Sequence, residues 1–305
     1  MKTIGFLLMV LLAVTDAAAQ PLVGYPSALD TVQVQNYRLV YYDSQTPGPP
    51  VVLVHGLGTN LSIWRAVWPL LRQKARVLAP DLPGFGLSDK QEVPATPSFY
   101  AEVLAAWLDT LKLAQVDVVG LSMGGQIALM MALQHPDRIR RLVLAAPAGI
   151  ETFTPEAAAQ LKALFTAETI AAMSPALYAQ NVQRNFARWD PDRFGWLLEQ
   201  RAQMQQRADF RAYAEANARA VAGMLDEPVF ARLPEVPHPT LVVFGEDDQL
   251  IPNRFFRPTE TPADILQVAL ERLPEAQGFL IPEAGHLLVL EQPEVFARQV
   301  LRFLF

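Results

Sequence analysis

Short apolar runs that alternate with helix-patterned stretches constrain this chain more than any other feature. The runs are Val51–Val54, Arg76–Ala79, Val116–Val119, Leu142–Ala145, Leu241–Phe244 and Phe279–Ile281, each bounded by turn residues. Runs this short and this continuously apolar suit strands covered on both faces, as in a parallel sheet. Between them, Leu61–Arg72, Phe99–Leu111 and Gly124–Gln134 carry helical spacing, and Glu294–Phe305 closes the chain the same way. Strand and helix in alternation predict an α/β fold, a mostly parallel central sheet flanked by helices. Ahead of it, Thr31–Gln35 and Tyr37–Tyr42 alternate like an antiparallel hairpin.

The alternation breaks once. From residue 150 to about 233 the pattern is helical and shows no convincing strand, with Pro155, Pro175 and Pro191 at first-turn positions. This predicts a helical cap, 150–233, inserted into a core built from 20–149 and 234–305. Its larger apolar residues include Phe153, Phe165, Phe186, Trp189, Trp196 and Met204. They are expected to pack the cap onto the core, and Phe186, Trp189 and Trp196 also to shape an acyl pocket beneath it.

The first residues read as an export signal, not as part of the fold. Met1 and Lys2 give a positive start, Ile4–Val14 is apolar, and Ala17–Ala19 supplies small residues before Gln20. That is a signal peptide over 1–19; the apolar run is only about half the roughly 20 residues a bilayer span needs. No cysteine follows to accept a lipid, and no later segment is long and apolar enough to span a membrane. The protein is therefore expected in the periplasm or secreted, with a mature chain starting at Gln20. N-terminal sequencing of the exported protein checks this, and retention of Met1 or Lys2 would refute it.

Composition removes several classes of chemistry. With no cysteine, the chain has no cysteine nucleophile, iron–sulfur cluster or Cys-ligated zinc. The formal net charge is −6 and the basic residues are scattered among acids, so no nucleic-acid surface is expected.

The sharpest local signal is Gly120-Leu121-Ser122-Met123-Gly124, directly after the run Val116–Val119 and directly before a helix. A serine on such a strand-to-helix turn is held out at the carboxyl end of the sheet, and the flanking glycines avoid clashes in the tight turn. The following helix aims its positive end at the site. A serine nucleophile needs a base. Of the four histidines, His135 and His238 sit beside prolines as surface or connector residues, and His55 braces a glycine-containing loop. His286, in Glu283-Ala284-Gly285-His286, alone falls after Ser122 and just past a strand end. An acid must then orient the imidazole. Glu246, Asp247 and Asp248 share one loop after Leu241–Phe244, which leaves Asp247 and Asp248 close; Glu151 is the next place to look. Three acids together could also suggest calcium, but the ligand spacing of a calcium loop is absent. His55-Gly56-Leu57-Gly58 should supply an oxyanion hole through the backbone N–H groups of Leu57 and Met123.

These motifs resemble the α/β-hydrolase superfamily. The resemblance rests on the Ser122 pentapeptide, on His55-Gly56-Leu57-Gly58, on Asp81 to Asp89 and on Gly245 to Pro252, and runs from about Val51 to the C-terminus. It places the acid third after the glycine, at Asp248, and so implies a triad of Ser122, Asp248 and His286. Gly120–Gly125 and Ala146–Gly149 look closest to monoacylglycerol-lipase-like carboxylesterases. The implied activity is hydrolysis of a small-molecule ester through an acyl-enzyme, with no metal or organic cofactor. Lactone hydrolysis, perhydrolysis and carbon–carbon bond hydrolysis are alternatives with the same triad, and a non-catalytic binding protein is a further one. Carbon–carbon hydrolases of the family usually carry Asn before the serine and Trp after the histidine, where this chain has Leu121 and Leu287. The connection from Asn253 to Arg272 is longer than the resemblance predicts, and Phe255 and Phe256 within it are expected to pack the insertion or line a pocket mouth.

Overall fold

The computed structural model describes residues 22–305; the expected signal, 1–19, lies outside them. Eight strands form one sheet: β1 (Asp30–Val34), β2 (Tyr37–Asp43), β3 (Pro50–Val54), β4 (Arg76–Pro80), β5 (Val116–Leu121), β6 (Ile139–Ala145), β7 (Thr240–Gly245) and β8 (Ala276–Ile281). Their order across the sheet is β1-β2-β4-β3-β5-β6-β7-β8. The first two pairings, β1 with β2 and β2 with β4, are antiparallel, and all the others are parallel. This is the α/β-hydrolase fold that the motifs imply.

Burial explains why the central strands read as unbroken apolar runs. Every residue of β5 and β7 is buried, and so are the last four of β3, β4 and β6. Helices cover both faces, including Pro97–Thr110, Met123–Gln134 and Pro293–Leu304. The last buries Phe296, Ala297, Val300 and Leu304, one stripe at helical spacing. Burying Phe296, Val300 and Leu304 contributes about 1.5–3 kcal/mol each, and the Ala297 methyl less.

One element differs from expectation, and a second was not foreseen. The stretch read as one helix over Leu61–Arg72 is a 3₁₀ turn, Leu61–Trp64, and a separate short helix, Trp68–Leu71. Pro69, in the first turn of the second piece, has no N–H to donate back into a continuous helix. The long 253–272 connection holds a helix, Pro262–Arg272, opened by a capping box between Thr261 and Asp264.

Between β6 and β7 the chain forms helices at Pro155–Leu164, Ala167–Ala171, Pro175–Gln183, Pro191–Phe194, Trp196–Gln205 and Phe210–Asp226, with Pro155, Pro175 and Pro191 in the first turns. The sheet order reverses direction between β3 and β5, since β4 lies on one side of β3 and β5 on the other. In an open α/β sheet, ligands bind at that point, outside the carboxyl ends of the strands. The loops after β3 and β5 meet there, with the ends of β6, β7 and β8 on the same edge.

Candidate active site

The turn after β5 is strained in the way its sequence requires. Ser122 has φ 54° and ψ −116°, a region that residues with a Cβ rarely occupy. The turn is tied at both ends. Ser122 N–H donates to the Ala145 carbonyl of β6 at 2.9 Å, and the Ser122 carbonyl accepts from Gly125 at 2.8 Å and Ala148 at 3.0 Å. A Cβ on Gly120 would fall on the Gly124 carbonyl, and one on Gly124 would fall on the carbonyls of Val54 and His55. Both glycines are therefore demanded by close backbone approach. Met123 is the first residue of the helix, so its amide has no partner within that helix.

His286 and Asp248 come from different loops and meet out of water. The His286 Nδ1–H donates to Asp248 Oδ2 at 2.9 Å, with His286 3% and Asp248 0% exposed. Asp248 Oδ1 accepts from the amides of Leu250 at 2.7 Å and Ile251 at 3.0 Å. Both carboxylate oxygens are thus committed, and the lone pair of the imidazole is placed on Nε2. Asp247 and Glu246 are exposed instead, which separates the two neighbouring aspartates that sequence alone leaves close. No group of His, Asp or Glu side chains suited to hold a metal occurs among the described residues.

The His286 loop is clamped by the segment between β6 and β7. Glu291 accepts from the amides of Gly285 at 2.7 Å, Ala187 at 3.3 Å and Arg188 at 3.2 Å, while Leu287 N–H donates to the Asn185 carbonyl at 3.0 Å. Burial pushes the Glu291 carboxyl up, and these three amides oppose it.

His55 is a brace. Its Nε2 accepts from the Leu82 amide at 3.1 Å, so Nδ1 carries the proton and donates to the Gly56 carbonyl at 2.9 Å. Burial holds its pKa down to about 4, which keeps it neutral. Asp81 pins the neighbouring loops: Oδ1 accepts from Leu61, and Oδ2 from Leu87 and the Tyr25 hydroxyl. Burial raises this carboxyl to about 6, against the pull of those donors. His238 bonds the Pro136 carbonyl and His135 pairs with Glu102, so neither approaches Ser122.

Ser122, His286 and Leu57 all line one cavity of about 670 Å³. Ser122 Oγ and His286 share this wall but are not hydrogen-bonded to each other. Ile170, Met173, Leu197, Val221 and Met224 add apolar side chains to its lining. Phe153 and Phe165 line it, but Phe186, Trp189 and Trp196 do not, which corrects the expectation that these three shape an acyl pocket. Phe186 and Trp189 pack with Phe194 in an aromatic cluster, and Trp196 lies against Gly24 and under Arg65. Of the insertion phenylalanines neither lines the cavity: Phe256 packs edge-on against Phe153, and Phe255 is 80% exposed.

Two charged residues in the cavity wall escaped sequence reasoning as wall residues. Arg201 is 6% exposed and forms no ion pair among the described residues. Its Nη2 donates to the Ile170 carbonyl at 2.9 Å, its Nε is buried without a partner, and its guanidinium lies 4.5 Å from the Phe210 ring centre. Glu151, considered above only as a substitute acid, accepts from the Asn253 amide at 2.8 Å. Burial raises its carboxyl to about 7. Nothing in the helical spacing distinguishes Arg201 from a solvated arginine.

Hydrolases are the class that this topology and this sheet edge define. The chain belongs to the α/β-hydrolase family: the model described as alpha/beta hydrolase fold matches residues 49–293. It is 32% identical over 270 residues to 2-hydroxymuconate semialdehyde hydrolase of Pseudomonas sp. (strain CF600), covering 84% of this chain and 87% of that one. Among solved structures it is similar to a thermophilic esterase from Thermogutta terrifontis, with TM-score 0.74, 27% identity and coverage of 91% and 98%. It is also similar to the enol-lactonase from Burkholderia xenovorans LB400, with TM-score 0.73, 26% identity and coverage of 90% and 99%.

Proposed function

We propose that this hydrolase cleaves carboxylic esters of small molecules through an acyl-enzyme. The observation that carries this reading is the buried Asp248–His286 hydrogen bond on the same cavity wall as the strained Ser122. Ser122 Oγ attacks the ester carbonyl carbon as its proton passes to His286 Nε2. The oxyanion is held by the amides of Leu57 and Met123, each such donor being worth about 3 kcal/mol in the transition state. The intermediate collapses, His286 returns the proton to the departing alkoxide, and an acyl-serine remains. Water then attacks the acyl carbon with His286 again taking a proton, which releases the acid and restores Ser122. Asp248 keeps the imidazole in the tautomer that can do this.

The similar esterase and enol-lactonase structures support acyl transfer, as do the apolar residues Leu121 and Leu287 beside the serine and histidine. Carbon–carbon bond hydrolysis is a second reading, favoured by two observations. The name 2-hydroxymuconate semialdehyde hydrolase, carried by a relative, denotes a carboxylate substrate, and Arg201 is a cavity-lining cation with no ion pair among the described residues. A substrate panel tests the choice: p-nitrophenyl esters of increasing length, a lactone, a monoester of a dicarboxylic acid and 2-hydroxymuconate semialdehyde. Turnover of esters is expected, and Arg201→Leu should lower kcat/KM at least about tenfold for the anionic monoester while sparing neutral ones. Turnover confined to the semialdehyde would overturn the ester reading in favour of the second.

A further inference from the structure

We propose that Glu151 is a specificity-determining residue, a cavity-wall carboxyl that selects ester substrates carrying a hydroxyl group. This rests on the ester-hydrolase reading of the same site. Glu151 lies in the segment that leaves the carboxyl end of β6, the sheet edge that carries Ser122, and its side chain is only 5% exposed. It nevertheless lines the cavity shared by Ser122 and His286. Its two oxygens are not equivalent. Oε1 is occupied, accepting from the Asn253 amide at 2.8 Å and lying 3.5 Å from Arg257 Nε. Oε2 takes part in no hydrogen bond among the described residues. That oxygen is not sealed from solvent, so a substrate group entering the cavity can bond it in place of water.

Arg257 does not neutralise this carboxyl fully. Its Nη1 is taken by both oxygens of Glu260, at 2.7 and 2.8 Å, and its Nη2 by the carbonyl and hydroxyl of Thr152. Burial first, then Glu260 and Asp248, raise the Glu151 carboxyl to about 7, so both protonation states are populated near neutrality. That equilibrium decides the ligand chemistry. A substrate carboxylate is bonded only by the acid form, and an ammonium only by the carboxylate. A hydroxyl donates to the carboxylate and accepts from the acid, so it is held in both states. Around it the wall is largely apolar, and a hydrogen-bonding group in such a wall discriminates strongly against an analogue that leaves it unpaired.

Two pairs of matched esters test this in the full chain, each differing by hydroxyl for methyl. For the alcohol half the pair is 2-hydroxyethyl butyrate against propyl butyrate; for the acyl half it is methyl 6-hydroxyhexanoate against methyl heptanoate. The wild type should favour the hydroxyl member of at least one pair in kcat/KM, and Glu151→Leu should shift that ratio by about tenfold or more towards the methyl member. Glu151→Gln keeps an acceptor for Asn253 and a partner for a hydroxyl, and should keep the preference. A Glu151 that only ties Asn253 in place would change both members of a pair alike and leave the ratio fixed. A wild type without preference in either pair overturns the proposal, even if the leucine variant fails to fold, and so does a ratio that Glu151→Leu leaves unchanged. If no ester of either pair is cleaved and Ser122 is not acylated, the ester reading itself fails and takes the proposal with it.

Discussion

Replacing Ser122 with alanine should lower kcat for an activated ester by about 10⁶-fold, the scale seen when a nucleophile is removed from a working triad. The fold should survive. Alanine fills the same strained backbone position with one atom fewer, and the ties of the turn to Ala145, Gly125 and Ala148 are made by main-chain atoms. What remains is catalysis by the amides of Leu57 and Met123 and by the cavity. The thermal unfolding midpoint should move little while turnover disappears. Loss of less than tenfold would remove Ser122 from the chemistry.

Replacing Asp248 with asparagine should cost about 10⁴-fold in kcat, as the equivalent change does in serine proteases. The local bonds say why. Asp248 Oδ1 accepts two loop amides, from Leu250 and Ile251. In an asparagine the carbonyl oxygen must take that place, because the amide group would set N–H against N–H. The NH₂ then faces His286 Nδ1 and forces the imidazole proton onto Nε2, where the base lone pair is needed. Asp247→Asn should cost less than tenfold, since its side chain is exposed and only its main-chain atoms are used, the amide donating to the Ala284 carbonyl and the carbonyl accepting from Gln249 Nε2. Steady-state kinetics of the two variants, with unfolding curves to show both folded, check the ranking. The reverse ranking would move the acid to Asp247.

The sheet was legible because each buried strand leaves an unbroken apolar run. Val116–Val119 and Leu241–Phe244 have no solvent face to show as alternation, and this is what placed them. The serine turn was legible because Gly120 and Gly124 have only backbone carbonyls where a Cβ would go, a constraint written in residue identity. Asp248 was legible only through family resemblance. What separates it from Asp247 is which side chain the loop turns inward, and neighbouring residues of identical chemistry carry no trace of that. The cavity wall was least legible. Arg201 and Glu151 are charged residues whose burial depends on how the inserted helices and the 253–257 segment close over the sheet edge. Phe186, Trp189 and Trp196 have the chemistry of pocket residues but pack on one another and on the core. Composition identifies aromatics; tertiary contact decides whether they face a cavity. The helix Pro262–Arg272 had a readable start in Thr261 and Asp264, and its capping box was the overlooked signal.

The central claim is that Ser122 is a nucleophile activated at this site. The most direct measurement is intact mass and peptide mapping after incubation with a fluorophosphonate. The account predicts addition of one phosphonyl group, located on Ser122, with labelling lost in Ser122→Ala and strongly slowed in Asp248→Asn. A folded wild-type protein that stays unmodified, or one modified at another residue with Ser122 untouched, would contradict it.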